Sequence, residues 1–163
     1  MIALYFIGRA RDNRGEEISL KSDLELQGEF LASRAEDGQV RFWMQGRDFN
    51  YNNDQGQAEF AEPEIKILTA QGIVSVKGKT GNYFRDTRQV RMRDQVEMRF
   101  NKYLAQTSEL IYDIEGRKCS GGREIAVHGD GLEFKGKGYI FDFRTGQIEI
   151  LSDIKGRFVK RAI

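Results

Sequence analysis

Cysteine and histidine, which build many catalytic and metal sites, are almost absent from this sequence. Its 163 residues include one cysteine, Cys119, and one histidine, His128. A single cysteine excludes an intramolecular disulfide. A single histidine excludes a multi-histidine metal site and would leave histidine catalysis to one residue beside a turn. We therefore predict no catalytic residue, no metal site and no cofactor.

Proline is also scarce, and neither sign of charge dominates. Pro63 stands alone beside eighteen glycines, a composition that permits many tight turns between strands that keep their backbone donors. The net charge is +1, which provides no overall basic field. Nucleic acid is therefore not an expected partner.

No apolar run is long enough to cross a membrane. The N-terminal run, residues 1–7 (MIALYFI), is far shorter than the ~20 residues that a spanning helix needs. Positive charge follows this run at Arg9, Arg11 and Arg14, whereas a secretory signal carries it in front. We interpret residues 1–17 as an N-terminal lead-in and residues 18–163 as one β domain.

One spacing pattern occurs four times without gaps. It reads apolar, any, apolar, Gln or Lys, Gly, then ten residues, then Gln, apolar, any, apolar, with its glycines at Gly28, Gly46, Gly78 and Gly136. Alternating apolar residues indicate strands buried on one face. The glycine and the ten-residue gap leave room for strand ends and a turn. Each copy therefore predicts a β-hairpin.

Aromatic residues recur about every thirty positions, which is a period typical of repeat architectures. They stand at Tyr51, Tyr83, Tyr112 and Phe141. Cys119 falls where the other copies carry Ala, Val or Ile, so we interpret its thiol as buried filler. These features favour true internal repetition over a plain antiparallel meander.

The sequence predicts an all-β fold of about fifteen short antiparallel strands. Turn pairs at Asp37-Gly38, Glu115-Gly116, Asp130-Gly131 and Thr145-Gly146 tolerate positive φ where strands reverse. So many strands exceed what one open sheet carries comfortably. We expect two facing antiparallel sheets built from repeated hairpins, as a sandwich or jelly roll, or a barrel.

The predicted inward-facing row is rich in phenylalanine and methionine, and it includes Phe100 and Phe143. Such side chains are bulky, and methionine adapts to irregular partners. Two interpretations remain open from composition alone: an ordinary dry core, or a surface that contacts lipid chains. Carboxylates alternate with Arg and Lys along the strands, as on a solvated sheet face. A jelly-roll hydrolase would need two of them converging in a cleft.

Several segments together resemble the LptC family, the bridge component of lipopolysaccharide export. The most characteristic is Gly131 to Phe158 (GLEFKGKGYIFDFRTGQIEILSDIKGRF), joined by Thr107 to Ile114 (TSELIYDI) and Val90 to Met98 (VRMRDQVEM). None of these is a catalytic signature. The resemblance extends over about residues 24–158 and depends on the whole set.

The resemblance implies a V-shaped β-jelly-roll that is not an enzyme. Its open, apolar interior would carry lipid A acyl chains from the inner-membrane transporter to a periplasmic bridge protein. The N-terminal end, near residues 18–26, would face LptB, LptF and LptG, and the last strands, residues 148–158, would meet an LptA-like protein. Gly131 would have to remain without a side chain at its turn. The lipid-contacting residues would be the inward row: Leu24, Leu26, Phe30, Phe42, Met44, Phe60, Val76, Val90, Met92, Met98, Phe134, Phe141, Ile148 and Ile150.

The start of the sequence departs from this family, whose members carry a complete N-terminal membrane helix. Residues 1–17 would then be the remnant of such an anchor. The resemblance implies a native protein held at the inner membrane by a single pass, with its bulk in the periplasm. If the chain truly begins at Met1, a soluble relative is expected instead. The alternative function is a structural β-repeat that assembles with other chains and carries no lipid.

Overall fold

The structure, a computed structural model, describes residues 3–6, 16–18, 23–36 and 39–158. Every element in this part of the chain is a β-strand, and the predicted all-β fold is confirmed. The strands are β1 (Ala3–Phe6), β2 (Glu16–Ile18), β3 (Leu24–Glu36), β4 (Gln39–Asn52), β5 (Gln57–Thr69), β6 (Gly72–Lys77), β7 (Thr80–Phe84), β8 (Gln89–Phe100), β9 (Tyr103–Asp113), β10 (Lys118–Gly129), β11 (Leu132–Asp142) and β12 (Gln147–Phe158).

All twelve strands belong to one antiparallel hydrogen-bonded sheet. Its order is β12-β11-β10-β9-β8-β6-β5-β4-β3-β1-β2. β7 follows β6 end to end, and it pairs with the other halves of β5 and β8. Neighbours in sequence are therefore mostly neighbours in space, as expected of repeated hairpins. The short strands β1 and β2 extend the sheet beyond β3. Most of the expected lead-in, and the turn expected at residues 37–38, lie outside the described residues, and the domain boundary stays a prediction.

A line of irregularities crosses the sheet at the middle of its long strands. The pairing register shifts at 26/29, 45/47, 47/50, 93/96, 120/125 and 135/137. Left-handed residues occur at this level, including Asp48, Glu62, Asp94 and Asp153. In β5 the following residue is Pro63, whose missing donor is tolerated at a bulge. Because bulges bend strands and increase their twist, this line forms a crease.

The crease divides the strands into two layers. The loop layer comprises residues 24–26, 49–61, 80–93, 109–121 and 139–150, and the turn layer comprises residues 29–36, 39–47, 64–77, 96–107, 124–137 and 152–158. Their inner faces meet: Cys119 Sγ lies 3.9 Å from Met98 Sδ, and the Phe42 and Tyr112 rings stack at 5.4 Å. The two predicted sheets are thus two halves of the same strands.

The loop layer shows why the sequence repeats. Its strands are joined by four-residue loops at 53–56, 85–88, 114–117 and 143–146, and the last residue of each is left-handed: Gly56, Arg88, Arg117 and Gly146. The recurring aromatic lies two residues before each loop. Across the layer, aromatic residues alternate with smaller ones, so that each ring has space: Tyr51, Ala58, Tyr83, Val90, Tyr112, Cys119, Phe141 and Ile148.

Candidate functional site

The space between the layers is the candidate site, and the structure places the whole predicted row there. Nine of the fourteen residues are buried in the core: Phe30, Phe42, Met44, Phe60, Val76, Val90, Met92, Met98 and Phe141. The other five are partly buried and pack against it: Leu24, Leu26, Phe134, Ile148 and Ile150. Contact of these residues with lipid stays a prediction.

The inner face is filled by side chains. Phe30, Met44 and Val90 are each at most 2% exposed, and burying a side chain of this kind stabilises the fold by about 1.5–3 kcal/mol. Burial raises the pKa of the Cys119 thiol, so Cys119 is an inert part of this core. A guest molecule can enter this region only where the two layers move apart.

Close contact between glycine and aromatic rings characterises the crease end. A Cβ on Gly121 would lie 2.7 Å from the Tyr139 ring and 2.8 Å from the Glu109 carbonyl oxygen, and one on Gly46 would lie 3.0 Å from the Phe30 ring. The Tyr139 hydroxyl donates to that Glu109 carbonyl at 3.0 Å. Burial raises the pKa of Tyr139. This end has no room for larger side chains.

The opposite end, where the two layers finish in loops and turns, is the mouth. Five aromatic side chains close it. The Phe100 and Phe141 ring centroids are 5.0 Å apart, and Phe143 lies 4.7 Å from Phe141 and 5.5 Å from Tyr112. Together with the stacked Phe42, these rings join the layers by geometries that aromatic pairs favour.

Charged side chains also cross the mouth. Glu115, in the loop layer, accepts hydrogen bonds from Arg88 of the same layer and from Arg34 Nη1 of the turn layer, the latter at 2.8 Å. These arginines lower the pKa of the Glu115 carboxyl. On the same side, Gln71 Nε2 of the turn layer donates to the Thr145 carbonyl at 3.4 Å. We call the Arg34–Glu115–Arg88 group the latch.

Beside the latch is a cleft of about 170 Å³. Its floor is apolar and includes Phe42, Ile67, Tyr112, Ile114 and Phe143. Its charged lining residues are all arginines: Arg34, Arg41, Arg117 and Arg144. Sequence reasoning did not find this cleft, because its residues come from distant strands and loops. The available signal was the concentration of arginine in the 85–88, 114–117 and 143–146 loops.

The inner face is uncovered at the β12 edge. Ile154 is 60% exposed. Gly156 faces inward, since a Cβ there would lie 2.6 Å from the Phe134 ring, and Ile154, two residues earlier, shares its face. Within the described residues β12 pairs with β11 alone. This edge therefore presents both free backbone groups and apolar side chains.

Gly131, the predicted turn glycine, lies in the two-residue turn between β10 and β11. Its φ is 75°, and that of Asp130 before it is 49°. Two successive left-handed residues are the geometry of a type I′ hairpin turn, which explains the Asp-Gly pair. A side chain at residue 131 would strain the turn.

A family model described as lipopolysaccharide-assembly, LptC-related, matches residues 1–159. The chain belongs to this LptC-related family. Comparison with curated proteins finds no match. Among solved structures, the chain is similar to LptH of Pseudomonas aeruginosa, described as the LptA-homologous periplasmic component of a lipopolysaccharide transport device. The TM-score is 0.58 and the identity 11%, over 73% of this chain and 95% of that one. At this identity the likeness shows the fold.

Membership in the LptC-related family confirms the resemblance seen in the sequence and gives the chain a role in lipopolysaccharide transport. Among the described residues, no helix is long and apolar enough to cross a membrane. In that same part of the chain, no three His, Cys, Asp or Glu side chains lie together as metal ligands.

Proposed function

We propose that this LptC-related chain holds the acyl chains of lipopolysaccharide between its two layers and passes them to a periplasmic bridge protein. The proposal rests on the continuity of the inner apolar face. This face extends from the buried core, through half-buried Ile148 and Ile150, to exposed Ile154 at the β12 edge. Acyl chains are held by burial without directional bonds, which suits a surface of this kind.

Transfer would use the two ends of the sheet. The β12 edge would pair with an LptA-like bridge protein by strand addition, which would continue the apolar face into the next molecule. The N-terminal end, around β3, would face the LptB, LptF and LptG transporter. In this proposal the native protein is anchored at the inner membrane and works in the periplasm.

Crosslinking tests the proposal. A benzophenone amino acid is placed at Ile148, a half-buried residue of the inner face beside Phe141 at the mouth, or at the neighbouring exposed Glu149 on the outer face, and the protein is irradiated with lipopolysaccharide. We expect capture at residue 148 and none at residue 149, because only the inner face contacts acyl chains. Capture at residue 149 alone, or at neither position, would reject lipid carriage.

The edge is tested separately by Ile154→Asp with an LptA-like bridge protein. A carboxylate at this exposed apolar position should weaken binding at least tenfold, measured by titration calorimetry, because it is desolvated in the joint. Ile73→Asp is the matched control, since Ile73 is 56% exposed and lies in β6. Equal loss in both variants would argue against the β12 joint.

A second candidate, a β-repeat that assembles with other chains and carries no lipid, is favoured by the filled inner face. It predicts the same loss of binding in Ile154→Asp, but no lipid capture at residue 148. The two experiments together separate the candidates.

A further inference from the structure

The cleft at the mouth combines positive charge with an apolar floor, so one amphiphilic ligand can contact both. Four arginines surround it, while Phe42, Tyr112 and Phe143, each at most 4% exposed, belong to its floor. Arg41 and Arg144 are exposed there, and Arg144 Nε and Nη2 donate to the Asp142 carboxylate at 3.3 and 3.4 Å. Guanidinium groups match phosphate oxygens in planar, bidentate geometry, and an aromatic floor suits methylene groups.

We infer that this cleft binds a lipid phosphate and that binding breaks the Arg34–Glu115 bond of the latch. The inference rests on the proposed function and adds to it the recognition of the headgroup. The phosphate binds the arginines, the first carbons of the attached chain lie on the aromatic floor, and Glu115 loses Arg34 to the competing anion.

The latch geometry explains the coupling. Arg34 lies on β3 in the turn layer, whereas Glu115 and Arg88 lie in loops of the other layer, so the Arg34–Glu115 bond spans the mouth. A phosphate carries about −1.5 to −2 charges and three acceptor oxygens, and Glu115 offers one charge. The anion therefore replaces Glu115 at Arg34 and removes one of the bonds that hold the layers together.

The size of the cleft suits a phosphate headgroup rather than complete acyl chains. Its volume of about 170 Å³ is close to that of a ~150 Å³ protein cavity able to hold one benzene molecule. A phosphate and the start of one chain fit this space. Longer chains need the interior, which becomes accessible as the layers part.

Dodecyl phosphate and dodecyl maltoside, both below their micellar concentrations, test the inference by titration calorimetry with the whole chain. The two probes share a chain and differ in the headgroup. We expect Arg41→Gln with Arg144→Gln to weaken dodecyl phosphate binding roughly tenfold, the loss of about one charge-assisted hydrogen bond. Binding of the maltoside should be unchanged. Arg123→Gln, an exposed arginine in β10, is the charge-matched control and should bind like wild type.

The direction in which Glu115→Gln changes the affinity for dodecyl phosphate distinguishes this inference from a purely structural latch. Because the substitution removes the competitor for Arg34, it should tighten dodecyl phosphate binding a few-fold, whereas a merely structural latch predicts weaker binding. The inference is overturned if the arginine variants bind like wild type, if Glu115→Gln weakens binding, or if inorganic phosphate alone binds as tightly as dodecyl phosphate. Capture at residue 148 with no effect in the arginine variants would retain the proposed function and reject the phosphate site. No crosslinking to lipid, together with weaker phosphate binding in the arginine variants, would retain the phosphate site and reject lipid binding between the layers.

Discussion

The crease and the mouth close the same two layers by different means. At the crease, the backbone itself turns, and glycines such as Gly121 let rings from the next strand approach within van der Waals contact. At the mouth, the layers are separate chain segments joined by aromatic side chains and by the exposed latch. The difference teaches that the layers can part at one end only, since opening the crease would require the strands themselves to break.

Phe42→Ala and Phe30→Ala remove equal rings from the two ends. Each is expected to lower the free energy of unfolding by about 3–5 kcal/mol. Under native conditions, however, Phe42→Ala should accelerate thiol labelling of Cys119 more, because Phe42 stacks on Tyr112, the cross-strand neighbour of Cys119. Labelling kinetics with a maleimide check this. Equal acceleration in both variants would mean that the layers separate only by global unfolding.

Two adjacent glycines probe the tightness of the crease. Gly121→Ala places a methyl group against Tyr139 and Glu109, whereas a Cβ on Gly122 meets nothing within 4 Å. We expect Gly121→Ala to destabilise the fold by about 1–3 kcal/mol through overpacking and Gly122→Ala to leave the free energy of unfolding nearly unchanged. Denaturant titrations of both variants measure this. Indistinguishable midpoints would contradict the close packing described for this end.

The smallest effect is expected from acid at the mouth. Its arginines hold the Glu115 pKa below the ordinary 4.5, so the ionised carboxylate stabilises the fold above pH 4.5, and this contribution disappears as the pH falls through the lowered pKa. The difference in denaturation midpoint between wild type and Glu115→Gln should therefore be present at pH 7 and vanish in acid. A difference that persists in acid would show that Glu115 acts through something other than its charge.

The repeats made the hairpins and the inward row predictable, because strand alternation is a local property. The continuity of the strands was not predictable. About fifteen short strands were expected, whereas the structure has longer ones such as β5, which continues through Glu62 and Pro63 and bends there. The latch was hidden for another reason: Arg34 and Glu115 are 81 positions apart, and no local pattern links them.

One consequence follows from the fact that the same strands form both layers. Away from the crease, the paired strand segments of the described residues lie within one layer or the other, and further backbone bonds, such as that from Glu62 N–H to the Lys79 carbonyl, lie at the crease itself. A swinging motion about the bulges therefore leaves the strand pairing of each layer intact. In the proposed function, acyl chains would enter where the two apolar inner faces separate, while the pairing of the strands is kept. Amide protons in the strands should then stay protected from solvent exchange during loading, while the side chains between them become mobile.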